Sequence, residues 1–134
     1  MLSMKKLLLF FIGCCALCWG CGGSGPTPDA VAGEAAKAYY DLLIEGKYDQ
    51  FVEGRYMPDA IPDGYREQLV ANMKMFMGEQ QATHGGLKQV RVVSAKADTA
   101  QHVANAFLLF VYGDSTSEEV LVPMVEHKGV WYMR

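Results

Sequence analysis

Past residue 21 the chain has no cysteine. Its four cysteines, Cys14, Cys15, Cys18 and Cys21, all sit in the first 21 positions. The remainder therefore has no disulfide, no thiolate nucleophile and no thiolate metal site, and its core must hold unaided. Apolar runs long enough to cross a bilayer are lacking too. The one that opens at Leu7 is broken by glycine and cysteine, well short of the roughly 20 residues a transmembrane helix needs. Positive charge is scarce: 12 Lys and Arg stand against 15 Asp and Glu. Lys5 and Lys6 precede residue 21 and every acid follows it, so the rest has 10 basic against 15 acidic residues, a net charge of −5. Nucleic acid demands a basic face, so that partner class is excluded. The 3 histidines, His84, His102 and His127, match no helix-borne metal-ligand spacing. There is no glycine-rich phosphate loop, and Ser94, Ser115 and Ser117 sit in no nucleophile motif. No catalytic residue, metal site or cofactor is expected.

What is present begins with an address. Lys5 and Lys6 form a positive start, and Leu7-Leu8-Leu9-Phe10-Phe11-Ile12 open an apolar run that continues to Leu17. Gly20-Cys21 closes it and Gly22-Gly23-Ser24-Gly25 follows. This is a secretory signal layout, and a small residue directly before a cysteine makes it a lipoprotein signal with Cys21 as the lipidation site. Cys18 stands three before Cys21, where such signals usually carry leucine. The plainer alternative is cleavage by the ordinary peptidase, with the cysteines as apolar filler. The expected division is a signal over 1–21, a flexible tether over 22–26 and a single domain over 27–134, a length suited to one core. The expected location is the bacterial cell envelope, at the outer membrane, held by the N-terminal lipid.

Thr27-Pro28-Asp29 opens a helix: Thr27 caps, Pro28 loses nothing at the first position, and Asp29 meets the positive helix end. Val31, Ala35, Ala38, Tyr39 and Leu42 recur at helical spacing as a buried stripe, widened by Ala32, Ala36, Tyr40 and Leu43. Gly46 stops it. Lys47–Glu53 predicts a short second helix, and 54–63 is irregular around Pro58 and Pro62. A third helix is expected over Asp63–Ala82, with Tyr65, Leu69, Met73, Phe76, Met77 and Gln80 as its stripe. Met73, Met75 and Met77 read as core filler rather than a ligand wall. The period then changes. Strands are expected over Leu87–Ala97, Gln101–Tyr112, Ser117–His127 and Val130–Arg134, joined by tight turns and hence antiparallel. In the second strand both faces are apolar. Ala104, Ala106, Leu108, Phe110 and Tyr112 form one; Val103, Phe107, Leu109 and Val111 belong to the other. One face must meet the helices, and the other needs cover. A homodimer through the sheet, or a docked partner, follows.

Three helices and then four strands give an α+β order. With its capped Thr27-Pro28 opening, Tyr39-Tyr40, Gly46-Lys47-Tyr48-Asp49-Gln50-Phe51, Gly85-Gly86-Leu87-Lys88 and Gly129-Val130-Trp131, the chain resembles small bacterial lipoproteins of unknown function in the nuclear transport factor 2-like superfamily. Some of these carry a lumazine-binding-like label. The resemblance implies three helices packed on a curved four-stranded antiparallel sheet, a cone with an internal pocket, and no set activity. It also implies that Tyr39, Tyr40, Tyr48, Tyr56, Phe110, Tyr112 and Trp131 include residues at the cone mouth, where they suit a small amphipathic ligand. The leading functional expectation is non-catalytic binding of a small ligand or a partner protein. An isomerase- or hydrolase-like enzyme using the pocket, or an assembly module using the outer sheet, is the alternative. For an enzyme the candidate carboxylates are Asp41, Glu45, Asp49 and Glu53, each read as solvated surface charge. Replacing Cys21 with Ser should abolish incorporation of a labelled fatty acid into the protein; undiminished labelling would rule out Cys21 as the attachment point.

Overall fold

The computed structural model describes residues 25–134; Cys21 and the signal boundaries lie outside them. The first helix, α1, runs Pro28–Ile44. Thr27 Oγ1 accepts the Ala30 N–H at 3.2 Å, satisfying one free donor of the first turn. Asp29 does more than meet the helix dipole: its carboxylate accepts the Ala97 N–H at 2.7 Å and ties the helix start to the sheet. At the other end the Gly46 N–H bonds Leu43 O and the Lys47 N–H bonds Leu42 O. This is the paired-bond helix stop that needs a left-handed residue, and Gly46 supplies it with φ +79°.

Helix α2 spans Tyr48–Glu53 and α3 spans Asp63–His84. The strands are β1 Leu87–Asp98, β2 Val103–Tyr112, β3 Ser117–His127 and β4 Val130–Met133. They pair antiparallel in sequence order. Irregularities in β1 between Leu87 and Gln89 and between Val92 and Ser94 curve the sheet, because an extra residue bends the strand that holds it.

The core lies where α1 crosses the concave face. Ala104, Ala106, Leu108, Phe110 and Tyr112 of β2 are all buried there, with Ala32, Ala36 and Leu43 from α1. The α1 stripe is therefore turned from the one that spacing suggests: Val31 and Ala38 are exposed, and Ala32, Gly33, Ala36 and Leu43 are the buried positions. Small residues win because they let the helix axis approach the sheet. Helix α3 departs further. None of its residues is fully buried; Tyr65 is exposed, and Met73, Phe76 and Met77 only lean on the core's edge.

Strand β4 is short and pairs only with Met124–His127. Pro123 marks the limit. Its carbonyl accepts the Arg134 N–H at 3.0 Å, and its missing donor is tolerated because no full strand lies beyond. On its other side β4 gains a partner from the segment expected to be irregular. The Tyr56 N–H bonds Met133 O at 2.7 Å, the Met133 N–H bonds Gly54 O at 2.8 Å, and Arg55 forms a parallel bridge with Met133. Gly54 fits only as glycine, since a β-carbon there would run into the Tyr39 ring. The Tyr39 hydroxyl donates to Trp131 O at 2.5 Å. Trp131 itself is 5% exposed and part of the core. Replacing Trp131 with Ala should cost about 3–5 kcal/mol of unfolding free energy, measured by urea titration; a loss below about 1 kcal/mol would contradict its place in the core.

Candidate functional site

The curvature and the short β4 leave a groove of about 290 Å³ beside the part of β3 that β4 does not reach. Phe51 and Val52 of α2, Leu69, Asn72 and Met73 of α3, Leu121–Pro123 of β3 and Met133 of β4 line it, with Tyr40, Arg55 and Arg134 at its polar points. Tyr40 is packed by aromatic edges: its centroid is 5.1 Å from those of Phe51 and Phe110, at 66° and 54°. Burial raises the Tyr40 hydroxyl above the usual phenol range, and the positive charge of Arg55 partly offsets this. The groove lining contains no Asp or Glu.

A second cavity of about 550 Å³ lies across Arg55, between the 56–61 loop and the β3–β4 turn. It is the polar one. Arg66 is paired with Glu53 at 2.5 Å, and Tyr56 packs against His127 and Tyr132 at 5.3 and 6.0 Å. Arg55 lines both cavities. Its backbone is held between the two hydrogen bonds that join 54–56 to β4, while its side chain makes no ion pair among the described residues.

The tightest polar cluster sits at the far end of the sheet. His84 Nδ1 is 3.1 Å from Asp114, and the His84 ring stacks on Tyr112 at 4.7 Å. Tyr112 donates to Glu118 at 3.0 Å. Burial, then the Glu118 contact, pushes the Tyr112 hydroxyl up to about 12. The Thr116 hydroxyl and N–H, then His84, hold Asp114 down to about 2. Both shifts lead away from neutrality, whereas a general acid or base works best with its pKa near the operating pH. The cluster fastens the β2–β3 turn to the end of α3.

The sequence candidates thus fall in different places. Tyr40 lines the groove. Tyr56 borders the polar cavity, and Tyr48 a shallow surface cleft under Lys74. Phe110, Tyr112 and Trp131 are core, and Tyr39 lies between Gly54 and Trp131. Of the four carboxylates, Asp41 pairs with Lys37 at 2.6 Å, Glu45 with Lys47 at 3.0 Å and Glu53 with Arg66, while Asp49 is exposed. Among the described residues no polar or charged side chain is fully buried. Val103, Phe107, Leu109 and Val111 form a half-exposed apolar strip on the convex face. Sequence reasoning did not single out Arg55 or Asn72. Neither belongs to a local motif, and only the pairing of 54–56 with β4 brings Arg55 to the groove.

No family model matches the sequence, and no curated protein matches it. Among solved structures, a Campylobacter jejuni protein provisionally named an NTF2-like transpeptidase superposes with a TM-score of 0.60. The match covers 75% of this chain and 94% of that one at 12% identity. The fold is nuclear transport factor 2-like. At that identity the likeness is one of fold, and this fold serves binding and catalysis alike. In nuclear transport factor 2-like terms the groove occupies the concave side of the sheet, and the apolar strip the convex side.

Proposed function

We infer that this chain is an exported, lipid-anchored domain that binds a small amphipathic ligand in the groove without transforming it. The carrying observation is the groove itself: an apolar trough with a few polar groups and no Asp or Glu in its walls. Binding sites have this composition. General acid–base catalysis works best with a group whose pKa lies near the operating pH; no Asp, Glu or His lines the groove, and burial moves the Tyr40 hydroxyl further from neutrality. The name of the Campylobacter protein suggests a reaction; at 12% identity the likeness carries the fold and not the reaction. Export and anchoring are supported by the signal layout ending at Gly20-Cys21.

The test is native mass spectrometry of the full chain, extracted in a nonionic detergent. A 1:1 adduct of small mass is expected, and it should vanish in Met73→Trp, whose larger side chain fills the groove. Met73 is only half-buried, so the variant should keep its circular dichroism spectrum. An adduct unaffected by that change, or a wild-type chain that remains bare, overturns the reading.

A second reading, homodimerisation through the sheet, is favoured by the convex face. Val93 and Leu121 are 51% and 50% exposed there, and Phe107 and Leu109 are their half-exposed neighbours on β2. Arg91, Leu109 and Glu119 lie in one cross-strand row, so an antiparallel copy could set Arg91 against Glu119. Leu109→Lys should convert a dimer to a monomer in analytical ultracentrifugation. A dimer that survives the substitution places its interface elsewhere.

A further inference from the structure

The groove has a chemical bias beyond being apolar: its free polar groups are hydrogen-bond donors. Arg55 has no anionic partner among the described residues. Among the described residues the tyrosine hydroxyls that donate to a protein acceptor are those of Tyr39 and Tyr112, both outside the groove, and the Tyr40 O–H has no such acceptor. Asn72 accepts from Gln68 at 2.8 Å through its carbonyl oxygen, so its amide N–H groups remain available. Arg134 lines the same space, and no Asp or Glu does. Donors converging on a partly desolvated trough call for an acceptor, and a guanidinium pairs best with a planar oxyanion.

Volume narrows the class. About 290 Å³ stands at the low end of the roughly 300–1,000 Å³ of small-molecule pockets. That size suits one short chain or ring with one head group better than the two chains of a diacyl lipid. We propose that the ligand is a single-chain or single-ring monocarboxylate, its apolar body against Leu69, Met73 and Met133 and its carboxylate accepting from Arg55, the Tyr40 hydroxyl and the Asn72 amide. This rests on the groove being the binding site. Arg55 is suited to the task because backbone bonds on either side of it fix its origin on the edge of β4, so only its side chain has to order when the carboxylate arrives. Its place between the two cavities lets the carboxylate face the wet, polar one while the chain stays in the apolar one.

The experiment titrates the full chain, in nonionic detergent, with octanoate, octanol and octyltrimethylammonium, and counts 1:1 complexes by native mass spectrometry. Octanoate should bind about tenfold tighter than octanol, the scale of one charge-assisted hydrogen bond, and the cation should not bind. Arg55→Gln should remove that advantage and leave octanol unchanged. Because Arg55 joins the sheet through its backbone, the variant should fold, and an unchanged circular dichroism spectrum checks this. If none of the three binds, the groove is not a binding site and both readings fall. If octanol or the cation binds as well as octanoate, or Arg55→Gln leaves octanoate unaffected, the groove stands and the carboxylate assignment is overturned.

Discussion

Tyr39 crosses from α1 to β4, lying against Gly54 and donating its hydroxyl to Trp131 O. Much of the site depends on that contact. It holds the first helix, the residues after α2 and the last strand at one point, using a glycine that no larger residue can replace. With Gly54 held there, 54–56 can run beside β4 and complete its bonding. Arg55 is then fixed on the sheet margin rather than carried on a free loop. The rest of the loop, Met57 to Ile61, borders the polar cavity, and the short β4 leaves β3 open from Pro123 towards Ser117. The groove is therefore a product of register: a strand of four residues against one of eleven leaves a gap, and α2 and α3 wall it.

The elements were largely legible because their signals are local. The Thr27-Pro28 cap, the left-handed stop at Gly46, the change of period at Leu87 and the tight turns each depend on a few neighbouring residues, and the helices and strands begin and end within about two residues of where those signals place them. Which helix face is buried was less legible. On α1 the stripe read as Val31, Ala35, Ala38, Tyr39 and Leu42 is fully buried only in its widening members Ala32, Ala36 and Leu43, joined by Gly33, because close approach to the sheet favours small residues. On α3 the periodic residues are real, yet the helix has the groove rather than a second layer beneath it, so they stop at half burial. The methionines read as filler show the same ambiguity: Met73 both leans on the core and walls the groove. The aromatic residues were visible as a set, but burial alone sorts them into core and groove, and burial is a property of the whole fold. Arg55 and Asn72 were hidden for the same reason. A surface arginine and a helical asparagine become a pair of donors only after the sheet edge and α3 have been brought together.

The electrostatics of the domain then separate its two polar regions by role. At the far end of the sheet, every strongly shifted group has found its partner: Asp114 has Thr116 and His84, and Tyr112 has Glu118. Such mutual satisfaction fixes a turn and leaves nothing over for a ligand. In the groove the opposite holds. Tyr40 is removed from water far enough to raise its hydroxyl, and Arg55 stands beside it without an anion. A partly buried hydroxyl such as that of Tyr40, without an acceptor, costs free energy that an arriving acceptor recovers. Stability alone would be better served by a phenylalanine at Tyr40. Unpaired donors of one kind at one place set the groove apart from the mutually satisfied cluster at the far end of the sheet.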